Sequence, residues 1–217
     1  MNRVFDIFNI WKDFLSQKNY FLEFILTVIF SIFFAFGFRE FLVLVESWDH
    51  SLGVFKDPLF FLSPIDLSTP IFIMTYGAIG FFIFFHLTEP IKLTYLIQIS
   101  VVLLSLRVIT LYLIRLDADP NMIILKDPFL NTFVYQLNEQ TGMYNQHDLF
   151  FSGHTANLFL TSILYRNKKL KYFFLTVTFI MGVCLVLQRA HYSIDVVFAP
   201  FFALIALFLH KKIKRLT

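Results

Sequence analysis

Hydrophobic positions in this chain come in long blocks rather than in the short alternations of a soluble fold. Six apolar runs stand out, at about 20–45, 70–88, 93–115, 149–165, 170–187 and 193–209. Runs of this length match the ~30 Å hydrocarbon core of a bilayer, so each predicts a transmembrane helix. The expected fold is therefore all-α, an integral membrane bundle of six transmembrane helices. The last three runs lie close to the lower length limit for a crossing. Arg39 and Glu40 interrupt the end of the first run and are expected at an interface. Pro200 falls inside the sixth and predicts a kink. Ahead of the first run, Arg3, Lys12 and Lys18 alternate with Val4, Phe5, Phe8, Trp11 and Phe14. That pattern predicts a short amphipathic helix on the membrane surface. The chain divides into an N-terminal cytoplasmic or interfacial segment, 1–19, and one membrane domain, 20–217. No internal repeat or linker subdivides it further.

Composition strengthens this reading. The chain is 58% hydrophobic with 31 Phe and has a mean hydropathy of +0.70. A soluble domain of 217 residues has no interior large enough for that apolar surface. The first run is too long for a signal-peptide core, and no Ala-x-Ala site follows it, so it is expected to remain as a signal anchor. A net charge of +3, scattered along the chain, gives no reason to expect nucleic acid as a partner. Cys184 is the single cysteine and allows no internal disulfide.

The loops predict orientation. With the N-terminus in the cytoplasm, 12 of the 18 basic residues fall on the cytoplasmic side, including the cluster Arg166, Lys168, Lys169 and Lys171. Of the 15 acidic residues, 11 fall on the other side. Both termini are thus expected to be cytoplasmic. The two longest loops, about 46–69 and 116–148, then share the opposite face, periplasmic or lumenal. The second contains two apolar stretches, Asn121 to Leu125 and Phe129 to Tyr135, greasy enough to dip toward a lipid site.

Two motifs on that same face carry candidate chemistry. The first is Phe150, Phe151, Ser152, Gly153, His154, Thr155. Ser152 can cap a following helix, Gly153 lets backbone approach an anion, and free N–H groups at a helix start bind phosphate. His154 would stand beside that pocket as a proton donor or acceptor. The second motif is His191, Tyr192, Ser193, Ile194, Asp195. Four residues are about one helical turn, so Asp195 shares a face with His191 and can hold one imidazole nitrogen while the other stays free. Arg189, two residues earlier, suits a bidentate phosphate clamp. A structural reading remains open for each: a capped helix with an interfacial histidine, a buried His–Asp lock, a snorkelling arginine.

Together the motifs resemble the sphingomyelin synthase family, within the wider type 2 phosphatidic acid phosphatase superfamily. A third segment, running from Arg107 through Thr110 and Tyr112 to Pro120, is similar to a motif those synthases carry after their third span. The resemblance covers roughly 66–205. The departures are informative. The synthases carry Cys-Gly-Asp before Ser-Gly-His-Thr, and only Asp148 is kept here. The plain phosphatases carry Lys-x6-Arg-Pro, and no Arg-Pro occurs in this chain. They also carry an arginine six residues before the last histidine, where Leu185 stands.

The resemblance implies that His191 is the nucleophile, Asp195 its orienting carboxylate and His154 the acid and base. Ser152, Gly153, Arg189, Arg107, Asp148 and Tyr192 complete the candidate substrate- and phosphate-binding set. The implied reaction moves a phospho-headgroup from a phospholipid donor to a ceramide- or diacylglycerol-like acceptor, with no cofactor and no metal. Other readings stay open at this point. One is a lipid phosphatase or phospholipase C-like hydrolase of the same superfamily. Others are a fat-storage-type diphosphatase, a zinc site drawing on His147, Asp148, His154, His191 and Asp195, and a non-enzymatic scaffold or transporter.

Overall fold

The computed structural model describes residues 3–49, 52–127 and 146–215. Every regular element among them is a helix. In chain order they are α1 (Arg3–Ser16), α2 (Lys18–Glu46), α3 (Ser68–Phe85), α4 (Pro90–Leu113), α5 (Gly153–Leu164), α6 (Lys168–Leu187) and α7 (Ser193–Ile213). Five of these, α2, α3, α4, α6 and α7, are long and apolar enough to cross a membrane.

The expected span at 149–165 is the exception. Its helix has only 12 residues, about 18 Å of rise and well short of the hydrocarbon thickness. The reason is local. Ser152 takes extended backbone and accepts from the Thr155 N–H, so the helix starts at Gly153 and not at Leu149. Non-helical backbone inside an apolar bundle must satisfy its polar groups within the protein. Leu149, Phe150, Phe151 and Ser152 are all buried. Thr110 donates to the Phe150 carbonyl at 3.1 Å, and the Ser152 N–H donates to the Asp195 carbonyl at 3.1 Å. The six-span count thus becomes five helices long enough to cross and one short, buried one, which four of the five surround.

That short helix is the hub. One apolar cluster joins it to α3 and α6 through Ala78, Phe82, Leu158, Phe174, Met181 and Leu185. A second joins it to α4 and α7 through Ile99, Leu103, Ala156, Leu160, Ala199 and Ala203. Ala199, Ala203 and Ala206 are all fully buried. They repeat at helical spacing and let α7 approach closely, as small residues do between membrane helices. α7 continues as helix through Pro200. α2 packs on α4 at the periphery, with Arg39 and Glu40 exposed and paired near its C-terminal end.

A helix does form in the N-terminal segment, and it is anchored rather than free. The Trp11 indole N–H donates to the Leu87 carbonyl at 2.8 Å, and Phe14 is buried. Of the two apolar stretches in the 116–148 loop, Asn121 to Leu125 is described and packs inward. Met122 and Leu125 lie against the α3–α6 core. Phe129 to Tyr135 falls outside the described residues. Gln188, fully buried at the end of α6, ties three segments together. Its side chain accepts from the Leu67 N–H at 2.9 Å and donates to Ser68 at 2.9 Å and to the Ile123 carbonyl at 3.1 Å.

Candidate active site

The N-termini of α5 and α7 meet in the bundle interior. Capping positions both. Ser152 caps α5, and its hydroxyl lies 3.0 Å from that of Thr155. Asp195, in the first turn of α7, accepts from the Tyr192 N–H at 3.0 Å and so fixes the start of that helix. The same carboxylate lies beside His191. Its Oδ2 is 3.4 Å from His191 Nδ1, an ion-pair distance without hydrogen-bond alignment. Both side chains are buried. Catalytic hydrogen bonds are often long before substrate binds and tighten with it. With Nδ1 facing the carboxylate, Nε2 is the nitrogen left for chemistry.

His154 stands on the first turn of α5, half-buried, with its ring 5.7 Å from that of Phe72. His191, Arg107, Asp148 and Asp127 all act electrostatically on its imidazole. The two histidine motifs therefore share one electrostatic neighbourhood.

Arg107 comes from α4 and is buried. Asp148 holds it through its carboxylate, with Nε at 3.0 Å and NH2 at 2.7 Å, and through its carbonyl, with NH2 at 2.9 Å. The remaining nitrogen, NH1, is buried and has no hydrogen-bond partner among the described residues. It lies against the start of α5. A Cβ added at Gly153 would sit 3.2 Å from it. The guanidinium crosses the backbone so closely that a side chain there would make it shift by a few tenths of an ångström. A buried cationic N–H without a partner is costly alone and well suited to an anion.

Two expected site residues point elsewhere. Arg189 takes a left-handed backbone, φ 57°. Its guanidinium donates to Asp119 at 3.1 Å and to the carbonyls of Phe60 and Leu62 at 3.1 and 2.9 Å. It also lies over the Phe60 ring. The Tyr192 hydroxyl donates to the Asp117 carbonyl at 2.7 Å, and its ring stacks on Phe60. Both residues bind protein loops. Of the residues in the zinc reading, His147 places its ring between Glu46 and Asp117, at 2.7 and 3.1 Å. Among the described residues no cluster of three or more His, Cys, Asp or Glu is arranged to hold a metal ion.

Two neighbours of the site escape sequence reasoning. Asp127 lies in the long loop, outside any motif, and accepts from the Tyr76 hydroxyl. Phe72 is one apolar residue among many in α3. Neither carries a linear signal.

The class defined by this arrangement is a multi-pass α-helical membrane protein with paired histidines beside a buried arginine. Residues 147–212 match the family described as PAP2 superfamily C-terminal. Both histidine motifs fall inside the matched segment, and Arg107 falls outside it. The match supports the PAP2 superfamily and an enzyme acting on phosphate esters. No curated protein and no solved structure matches the chain.

Proposed function

We propose that this protein is a lipid phosphotransferase of the sphingomyelin synthase type. It moves a phospho-headgroup from a phospholipid donor to the hydroxyl of a ceramide- or diacylglycerol-like lipid. The observation that carries the reading is the unpartnered Arg107 NH1, buried against the Gly153 backbone and in the same neighbourhood as His154 and the His191–Asp195 pair. Arg107, rather than Arg189, is the anion clamp, because Arg189 is occupied by Asp119 and two carbonyls.

The chemistry runs in two displacements. His191 Nε2 attacks phosphorus, and an N–P bond forms as the P–O bond to the diacylglycerol oxygen breaks. His154 gives its proton to that oxygen. In the second step His154 takes the proton of the acceptor hydroxyl, the acceptor oxygen attacks phosphorus, and the N–P electron pair returns to His191. Covalent catalysis divides one hard transfer into two easier ones. Arg107 and the N–H groups at the start of α5 stabilise the charge that builds on the phosphoryl oxygens. Two imidazoles supply the nucleophile and the proton transfers, so activity is expected to survive EDTA. Loss with EDTA and recovery with zinc would restore the metal reading.

Hydrolysis by the same intermediate is the second reading, and the absence of Arg-Pro favours transfer over it. The test is a donor phospholipid supplied with and without ceramide or diacylglycerol, with products followed by mass spectrometry. A new phospholipid that depends on acceptor supports transfer. Phosphoalcohol or phosphate released at one rate either way makes the protein a hydrolase.

A further inference from the structure

A cleft of about 520 Å³ separates α6 from α7 on the outside of the bundle. Phe179 and Val183 of α6 and Val197 of α7 line it and are well exposed. On helices that cross a membrane, that exposed face meets acyl chains. Its lining also includes Thr155, next to His154, and Ser193, two residues past His191. The cleft thus runs beside the two turns that carry the candidate histidines, although neither histidine is among its lining residues. None of the described residues lining it is charged, which suits an acyl chain better than a headgroup. Its volume is far too small for a packed helix.

A strap, residues 57–62, contributes to the lining. Leu59, Phe61 and Leu62 line the cleft and expose half or more of their surface. The strap is tied down beside the catalytic histidine. Arg189 holds the Phe60 and Leu62 carbonyls, and the Asp57 carboxylate accepts from the Ser193 N–H. At the floor, α6 and α7 come together at Gly182, where an added Cβ would meet Val196 at 2.5 Å.

We propose that the α6–α7 cleft lodges one acyl chain of the donor phospholipid, beneath the 57–62 strap, while its phosphate reaches His154 and His191. This rests on the proposed function for the identity of the lipid. From the level of Val186 to that of Leu175 the cleft follows about 16 Å of helix, the reach of a chain descending from the interface.

The test uses the full-length protein in phosphatidylcholine vesicles containing a phosphatidylcholine with a diazirine on one acyl chain. Adducts are mapped by mass spectrometry. Labelling concentrated at Phe179, Val183 and Val197, and reduced by Val183→Trp and by Val197→Trp, is the expected result. Even labelling over the exposed face of α2, at Phe33 and Phe36, overturns the proposal. So does labelling concentrated in the separate cleft beneath Trp11, between α2, α3 and α4. A second readout is the ratio of turnover on dioleoyl to dihexanoyl phosphatidylcholine. Either Val183→Trp or Val197→Trp should lower it about tenfold or more, since several buried methylenes are lost. Equal losses on both substrates overturn the assignment. If neither substrate turns over in the wild-type protein, the proposed function fails, and the adduct map still decides the cleft.

Discussion

Arg107 and Gly153 are in contact across two helices. The guanidinium of one lies so close to the backbone of the other that a methyl group at Gly153 would stand 3.2 Å from NH1 and 3.3 Å from Cζ. Arg107 has little freedom to retreat, because Asp148 holds it through both its carboxylate and its carbonyl. Gly153→Ala should therefore displace the clamp by a few tenths of an ångström. Misplacement on that scale costs chemistry more than stability. The expected outcome is a fall in kcat of about tenfold or more with a thermal unfolding midpoint near that of the wild type. Unchanged kcat would mean that Arg107 does not face the reacting phosphate.

Asp195 has two roles that one substitution can separate. It caps α7 through the Tyr192 N–H, and it lies 3.4 Å from His191 Nδ1. Asn at this position keeps a carbonyl oxygen for the cap and removes the charge. Asp195→Asn should fold and lose roughly 10²–10⁴ in kcat, the range of general acid–base effects. Asp195→Ala should also lose the cap, about 1 kcal/mol of stability. His191→Ala should abolish turnover, and no phosphorylated peptide should be recovered after a donor-only pulse. A phosphorylated peptide in that variant would move the nucleophile elsewhere.

Gln188 is predicted to be the most costly polar residue to remove outside the site. Its side chain serves Leu67, Ser68 and Ile123 from a fully buried position. Gln188→Leu leaves the Leu67 N–H and the Ile123 carbonyl unpaired in an apolar interior, at about 1–3 kcal/mol for each buried group, while Ser68 keeps the Lys126 N–H. A thermal unfolding midpoint in detergent several degrees below the wild type is expected. An unchanged midpoint would show that these bonds are replaced by water.

Orientation can be checked directly. The basic cluster at 166–171 sits in the α5–α6 turn, where Asn167 caps α6. Single cysteines at Lys169 and at exposed Lys56, in a Cys184→Ala background, should react with impermeant maleimide from opposite sides of the membrane. Reaction from the same side would defeat the assignment of both termini to the cytoplasm.

What the sequence revealed depended on whether the signal was linear. Five crossing helices coincide with long apolar runs, because length and hydropathy alone define a span. The fourth run failed for a physical reason. Leu149 to Phe151 are as apolar as any span, but the Ser152 cap starts the helix after them, and four neighbouring helices bury it so that it need not cross. The His191–Asp195 pair was legible from its spacing. Asp127 and Gln188 were not, since their partners lie tens of residues away.

The two arginines show where sequence proximity misleads. Arg189 is two residues from His191, but its left-handed backbone sends the guanidinium toward Asp119 and the 57–62 strap. Arg107 is 84 residues from His191 in the chain, yet it carries the unpartnered nitrogen beside Gly153. Their variants should differ in kind. On the proposed assignment Arg107→Ala removes a charged donor to the transition state, so kcat should fall about 10²–10³-fold on both long- and short-chain donors. Arg107→Lys should recover little, because a point charge cannot keep the paired contacts to Asp148. Arg189→Ala releases the strap over the acyl cleft, so its effect should fall mainly on KM for a long-chain donor. If Arg189→Ala instead lowers kcat on dihexanoyl phosphatidylcholine as far as Arg107→Ala does, with its thermal midpoint intact, then Arg189 acts on the phosphate and the assignment of the clamp is reversed.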